Sequence, residues 1–199
     1  DNIRVLHGST DHVSSGFGSF HSRSTSMGGS AILLAADELK EKIRTVAGVA
    51  LGCPSGEVIL DADGVRGPSG NFQTYAGLSG EPIEAEAKFE NSKKTYANGS
   101  LAAHVAVDPG TGQVDIIQVS STKDVGRMIN PATLRGQAVG MIVQGLGGTL
   151  LEHLIYDGDG QLLTGSLADY MVPKADDFPN ISSTVIELKP APHIPLGAK

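Results

Sequence analysis

Gly16-Phe17-Gly18-Ser19-Phe20-His21-Ser22-Arg23-Ser24-Thr25 gathers two glycines, four hydroxyls and one arginine in ten residues. The glycines let backbone come close to a ligand, the hydroxyls donate hydrogen bonds, and a guanidinium grips an oxyanion with two parallel bonds. A helix is expected to begin just after this run, near Ser30, and a helix start presents unpaired N–H groups and a partial positive charge. Together these are the parts of a phosphate or pyrophosphate receptor. The same residues also fit a plainer role, in which Ser and Thr cap the helix and the glycines turn the chain. A Rossmann fingerprint fits worse, because His21 stands where its third glycine belongs and no strand feeds directly into the run.

A second cluster is Gly136, Gln137, Gly140, Gln144, Gly147 and Gly148. At helical spacing Gly136 and Gly140 lie one turn apart, and Gln137 and Gln144 share a face. Each glycine inside a helix costs about 1 kcal/mol relative to alanine, so several together mean that something approaches closely. That neighbour is either a packed helix or strand, or a ligand to which Gln137 offers an amide donor. The six histidines show no two-His metal spacing. Asp61 and Asp63, like Asp157 and Asp159, sit at turns without a full calcium-loop pattern. No Ser-His-Asp or paired-carboxylate arrangement emerges, and Cys53, the one cysteine, has no catalytic context.

The elements that must carry these clusters follow from periodicity and turn chemistry. Residues 3–6 read as a short strand, and residues 14–29 as a Gly/Ser-rich loop. From Ser30, Ile32, Ala35, Leu39, Ile43 and Val46 fall on one helical face, Glu38 and Lys42 pair on another, and Gly52 and Pro54 end the helix. Residues 57–61 read as a strand turning at Asp63-Gly64, residues 67–80 as loop, and residues 83–89 alternate apolar with polar. Residues 101–107 and 114–119 form a hairpin about Asp108-Pro109-Gly110-Thr111-Gly112. A second helix begins after Asn130, with Pro131 in its first position, and runs to about Leu154. Residues 161–164 and 184–188 complete the strands. Hairpins with two helices predict an α+β fold, of mixed and antiparallel sheets packed against two main helices. The 199 residues suffice for one core or two small packed α+β subdomains, whose internal boundary the pattern does not fix.

A charged content of 19% and hydrophobic content of 40% are those of a globular chain. A net charge of −7 argues against nucleic acid as partner. The glycine-studded run 138–151 is too short to span a bilayer. A lone cysteine suits a reducing compartment, which predicts a cytoplasmic location, with the periplasm as the other candidate. The opening Asp1-Asn2-Ile3, without Met, and the turn-like close at Pro195-Leu196-Gly197-Ala198-Lys199 read as cuts from a longer protein.

Read as a string, Val5-Leu6-His7-Gly8-Ser9-Thr10-Asp11 through Ser22-Arg23-Ser24-Thr25 resembles a stretch of bacterial molybdenum hydroxylase large subunits, the xanthine dehydrogenase, aldehyde oxidase and carbon monoxide dehydrogenase family. Asp124-Val125-Gly126-Arg127-Met128-Ile129-Asn130-Pro131 resembles that family's D-x-G-x-x-(I/L)-N-P. Arg135-Gly136-Gln137 is similar to its (E/R)GQ, and Gln144-Gly145-Leu146-Gly147 to its QG(I/L)G. Asp159-Gly160-Gln161-Leu162-Leu163-Thr164, Asp169-Tyr170-Met171-Val172-Pro173 and Pro195-Leu196-Gly197-Ala198-Lys199 resemble its DGQLLT, DYxxP and P-x-G-x-K. The order is the same along essentially the whole chain. Ser9, Ser14-Ser15 and His21 depart from the common pattern, which often has aspartate, a proline-containing pair and glycine there.

The resemblance implies part of the C-terminal molybdopterin-binding domain, with His21, Ser22, Arg23, Ser24 and Gln137 as cofactor contacts. It implies molybdopterin cytosine dinucleotide carrying molybdenum, which the pterin sulfurs hold without protein thiolates. It implies oxidative hydroxylation of a small molecule such as an aldehyde, an N-heterocycle or carbon monoxide. Electrons would leave to an iron–sulfur subunit or domain and an FAD subunit or domain. The family's general base is the glutamate of a GxGE that follows P-x-G-x-K, so no catalytic residue is assigned up to Lys199, and the chain alone is expected to be inactive. A homodimer is compatible with this reading. The competing expectation is a non-catalytic module that binds a phosphorylated ligand through the same Ser/Arg loop.

Overall fold

The computed structural model describes residues 3–16, 18–91, 93–178 and 180–199. Phe17, the second residue of the glycine–serine run, lies outside the described residues. The chain is α+β, and it forms two compact units, Asp1–Lys94 with Pro192–Gly197 and Thr95–Ala191 with Ala198–Lys199.

In the first unit, helix α1 spans Ser24–Leu51, beginning six residues before the expected Ser30. Serine and glycine are poor helix formers, but here packing requires small residues. Ser26 and Ser30 are buried, and the Ser30 Oγ accepts a hydrogen bond from the Leu196 amide at 3.4 Å. A Cβ on Gly29 would stand 2.7 Å from Leu196 Cδ2. Gly52, at φ 68°, stops the helix in the left-handed conformation, and the Cys53 amide bonds the Gly48 carbonyl at 3.0 Å. Glu38 and Lys42 pair at 2.8 Å. The apolar stripe serves the core only in its second half. Ile43 and Val46 pack on the buried cluster Ala47, Val58, Val65 and Leu78, whereas Ile32 is 46% exposed.

Strands β1 (Ile59–Leu60), β2 (Gly64–Arg66) and β3 (Phe72–Thr74) form an antiparallel sheet in that order. The run 67–80 is therefore not all loop. It contains β3 and a single 3₁₀ turn, because the Gly67–Gly70 turn folds Phe72–Thr74 back onto β2, where a Cβ on Gly64 would come within 2.9 Å of the Thr74 Cα. Residues 3–6 are exposed and pair with nothing in the sheets, so their apolar composition does not make a strand. In residues 83–89 burial alternates as the sequence does, with Ile83, Ala85, Ala87 and Phe89 half-buried and Glu84, Glu86 and Lys88 exposed.

In the second unit, β4 (Asn98–Val107) and β5 (Val114–Asp124) form the expected hairpin, with an irregularity between His104 and Val105. Asp108 shapes its turn by accepting the Gly110 amide at 2.7 Å, while Gly112 adopts φ 77°. Strand β6 (Ile181–Ile186) runs parallel to β5, so this sheet is mixed in the order β4-β5-β6. Helix α2 spans Pro131–Leu150, four residues short of the expected Leu154. The Asn130 carboxamide caps it by accepting from the amides of Ala132 at 3.1 Å and Thr133 at 3.2 Å. Ala138, Ile142 and Gly147 of α2 are buried, as is Val119 of β5. Residues 161–164 contribute a bridge, Tyr156 to Leu162, and not a ladder.

Candidate functional site

The loop that precedes α1 is built on two consecutive left-handed residues, His21 at φ 56° and Ser22 at φ 53°. For residues with a Cβ this conformation costs roughly 1–2 kcal/mol each, a strain that the chain keeps where it enters the helix. The Ser19 and Ser24 hydroxyls share a hydrogen bond across the turn. The His21 ring stands edge-on to Phe20 at 5.3 Å between centroids, and the Arg23 guanidinium carbon lies 5.7 Å from the Phe20 ring centre. His21, Ser22 and Ser24 are exposed and Arg23 is half-buried.

Arg23 occupies the N-cap position of α1, its side chain makes no capping hydrogen bond, and the first turn carries no acidic residue. Among the described residues no carboxylate forms an ion pair with Arg23. A guanidinium, several hydroxyls and the positive end of a 28-residue helix therefore stand together. In donor chemistry this set fits a phosphate-bearing ligand.

Gln137 belongs to the second unit, in the second turn of α2, and is exposed. The glycines of this helix divide. A Cβ on Gly147 would meet Pro173 Cδ at 2.8 Å, and Glu152, which presses on the same spot, accepts the Tyr170 hydroxyl at 2.7 Å. That hydrogen bond pushes the Tyr170 phenol above its ordinary value. Close packing within the chain thus accounts for Gly147 and couples two of the sequence motifs. It does not account for Gly136 or Gly140, where an added Cβ would find nothing within 4 Å.

One further cluster joins two of the motifs quoted from the sequence. Asp124, at the end of β5, accepts from the amides of Gly126 at 3.0 Å and Leu188 at 3.2 Å, and forms an ion pair with Lys199. Both side chains of the pair are only 11% exposed. The Lys199 bond, then the Gly126 amide, holds the Asp124 carboxyl down at about 2. Because the folded value lies below the ordinary carboxylate range, the stabilisation is complete above that range and disappears as pH falls toward 2. An acid titration followed by amide exchange should show residues 198–199 releasing between about pH 4 and pH 2. An Asp124→Asn variant should lack that step.

Among the described residues no group of three His, Cys, Asp or Glu could hold a metal ion, and no helix is long and apolar enough to cross a membrane. Residues 1–179 match the molybdopterin cofactor-binding domain family. The chain is 35% identical over its full length to the 6-hydroxypseudooxynicotine dehydrogenase complex subunit gamma of Paenarthrobacter nicotinovorans, of which it covers 27%. It is 27% identical to a Cu,Mo-CO dehydrogenase structure, with a TM-score of 0.80 over 96% of this chain and 25% of that one. Against quinoline 2-oxidoreductase from Pseudomonas putida 86 the identity is 33% and the TM-score 0.78, covering 92% of this chain and 25% of that one. The chain thus spans about a quarter of the length of the relatives it matches. With its α+β fold, it belongs to the molybdopterin cofactor-binding domain family of molybdenum hydroxylase large subunits.

Proposed function

We propose that His21, Ser22, Arg23 and Ser24 of the first unit hold the phosphate-bearing tail of a molybdopterin cytosine dinucleotide in an intact molybdenum hydroxylase large subunit, and that Gln137 of the second unit is a cofactor contact. The observation that carries this reading is Arg23 at the N-cap of α1, beside exposed serines, in a first turn without an acidic residue. Arg23 supplies charge and a two-pronged donor, Ser22 and Ser24 supply hydroxyls, and the α1 amides add their partial positive charge. Gln137 donates its side-chain amide, and the space beside Gly136 and Gly140 leaves room for a close neighbour. When bound, the cofactor supplies the molybdenum redox centre for oxidative hydroxylation. The chain's own contribution is to bind and orient it.

The reading extends to the whole protein. Residues 1–199 form part of its C-terminal molybdopterin-binding domain, and the general base is a glutamate following Lys199, so that the chain alone turns nothing over. Relatives named for 6-hydroxypseudooxynicotine, carbon monoxide and quinoline support a small aldehyde, N-heterocycle or CO-like substrate. Electrons pass to iron–sulfur and FAD subunits or domains in a reducing, cytoplasmic compartment. The test is whether the purified full-length protein carries molybdenum and the pterin cytosine dinucleotide together.

A further inference from the structure

The loop that leads into α1 is gathered about the ring of Phe20. That ring is 43% exposed, and it is not among the described residues packed on the Ala47, Val58, Val65 and Leu78 core. Loop neighbours meet it instead. The Arg23 guanidinium carbon lies 5.7 Å from the ring centre, and the His21 ring stands edge-on to it at 5.3 Å. On the other side, a Cβ added to Gly18, at φ 94°, would touch Phe20 Cδ1 at 3.7 Å. An apolar ring that serves no core is thus placed among the residues of the candidate anion site.

The two left-handed residues bring the ring and the guanidinium together. Positive φ at both His21 and Ser22 reverses the chain as in a tight hairpin turn. The Arg23 amide closes the reversal by donating to the Phe20 carbonyl at 3.4 Å, so residues 20 and 23 become neighbours across the turn. Strain of this kind persists where surrounding contacts over-determine the backbone. Here those contacts are Phe20 with Arg23, and the Ser19 hydroxyl with that of Ser24. A guanidinium within about 6 Å of an aromatic centre is attracted by the ring's quadrupole. Arg23 is half-buried, whereas His21, Ser22 and Ser24 beside it are exposed.

We infer that Phe20 is a positioning residue, whose ring holds the Arg23 side chain at the start of α1 ready for a phosphate or pyrophosphate group. This rests on the proposed function, in which Arg23 grips the phosphate-bearing tail of the cofactor. A free arginine side chain samples many rotamers, and ordering it on binding weakens affinity by about 2- to 10-fold. With the ring beside it, that ordering is complete before the ligand arrives. Phe20 does not itself bond the phosphate in this scheme. It acts through Arg23.

The test uses the full-length protein with Phe20→Leu, Phe20→Trp, Arg23→Ala and the double variant Phe20→Leu/Arg23→Ala. Pterin retention is followed during dialysis of the loaded protein, and inorganic pyrophosphate is titrated calorimetrically into the cofactor-free protein. Phe20→Leu should weaken retention and pyrophosphate affinity by about 3- to 10-fold. Phe20→Trp, which keeps a ring face for the guanidinium, should restore both to within about twofold. In the Arg23→Ala background there is no guanidinium to hold, so adding Phe20→Leu should change neither by more than about twofold. Should Phe20→Leu not fold, Phe20→Met, which also lacks the ring, carries the same comparison. Unchanged retention in Phe20→Leu would overturn the positioning role, and so would an equal loss from Phe20→Leu with and without Arg23. Either outcome leaves the cofactor reading standing. Arg23→Ala without effect on retention would overturn the anion-site reading, and the positioning role with it.

Discussion

Replacing Arg23 with alanine in the full-length protein is expected to reduce pterin-nucleotide retention by about 10- to 100-fold. A hydrogen bond to a charged group contributes about 1.5–3 kcal/mol, and each 1.4 kcal/mol is a factor of ten in affinity. The substitution gives up little within the chain itself, because among the described residues Arg23 forms no ion pair and its aromatic contact is with Phe20 at 5.7 Å. Contacts of that kind are worth about 0.5–1 kcal/mol when exposed, so the melting temperature of the cofactor-free protein should change by only a few degrees. Arg23→Lys should recover part of the affinity, since an ammonium keeps the charge and loses the fork. Dialysis of the loaded protein, with pterin counted over time, separates these variants. Equal retention by Arg23→Ala and the unmodified protein would discredit the anion-site assignment.

A second large effect is expected on the exposed face of α2. Gly140→Ala should stabilise the cofactor-free protein by about 1 kcal/mol, the ordinary advantage of alanine over glycine in a helix, because the new methyl group meets nothing within 4 Å. Gly140→Leu in the loaded protein should do the reverse. If the cofactor, or another part of the large subunit, comes up against this face, forcing extra side-chain volume there costs about 1–3 kcal/mol and lowers cofactor retention by about tenfold or more. Paired measurements of melting temperature without cofactor and pterin retention with it should therefore move in opposite directions. Retention of cofactor by Gly140→Leu at the unmodified level would show that the helix glycines serve no close approach. Gly147 is the internal control, since there the neighbour, Pro173, is already in the chain.

Local chemistry made much of the architecture legible. The 98–124 hairpin follows from β-branched residues on either side of an Asp-Pro-Gly turn, and the start of α2 follows from Asn130-Pro131. The Gly52 stop of α1 is equally local. What the residues did not reveal depends on contacts between distant positions. Strand β3 is three residues long and owes its existence to pairing with β2, while residues 3–6 have strand-like composition but no partner. The first turns of α1 are built from residues with poor helix propensity, which Leu196 stabilises from far along the chain. Parallel pairing of β5 with β6 likewise joins segments that no short-range pattern connects.

The candidate site divides in the same way. The Ser22-Arg23-Ser24 run stands out as a candidate anion receptor by residue type and by its place at a helix start. Its left-handed pair, His21 and Ser22, does not, since neither residue type announces that conformation. Gln137 stood out through its glycine neighbours, but the sequence could not tell which of those glycines already had an internal neighbour. Asp124 and Lys199 lie 75 positions apart, and their pairing could be read only once the fold was known.

Whether this chain holds the cofactor of a molybdenum hydroxylase is tested most directly by what the purified full-length protein releases on acid treatment. Molybdenum and cytidine monophosphate are expected in equal amounts, one of each per chain, with both diminished in step by Arg23→Ala. A full-length protein, purified from cells that supply the cofactor, that yields neither molybdenum nor a pterin nucleotide would contradict it.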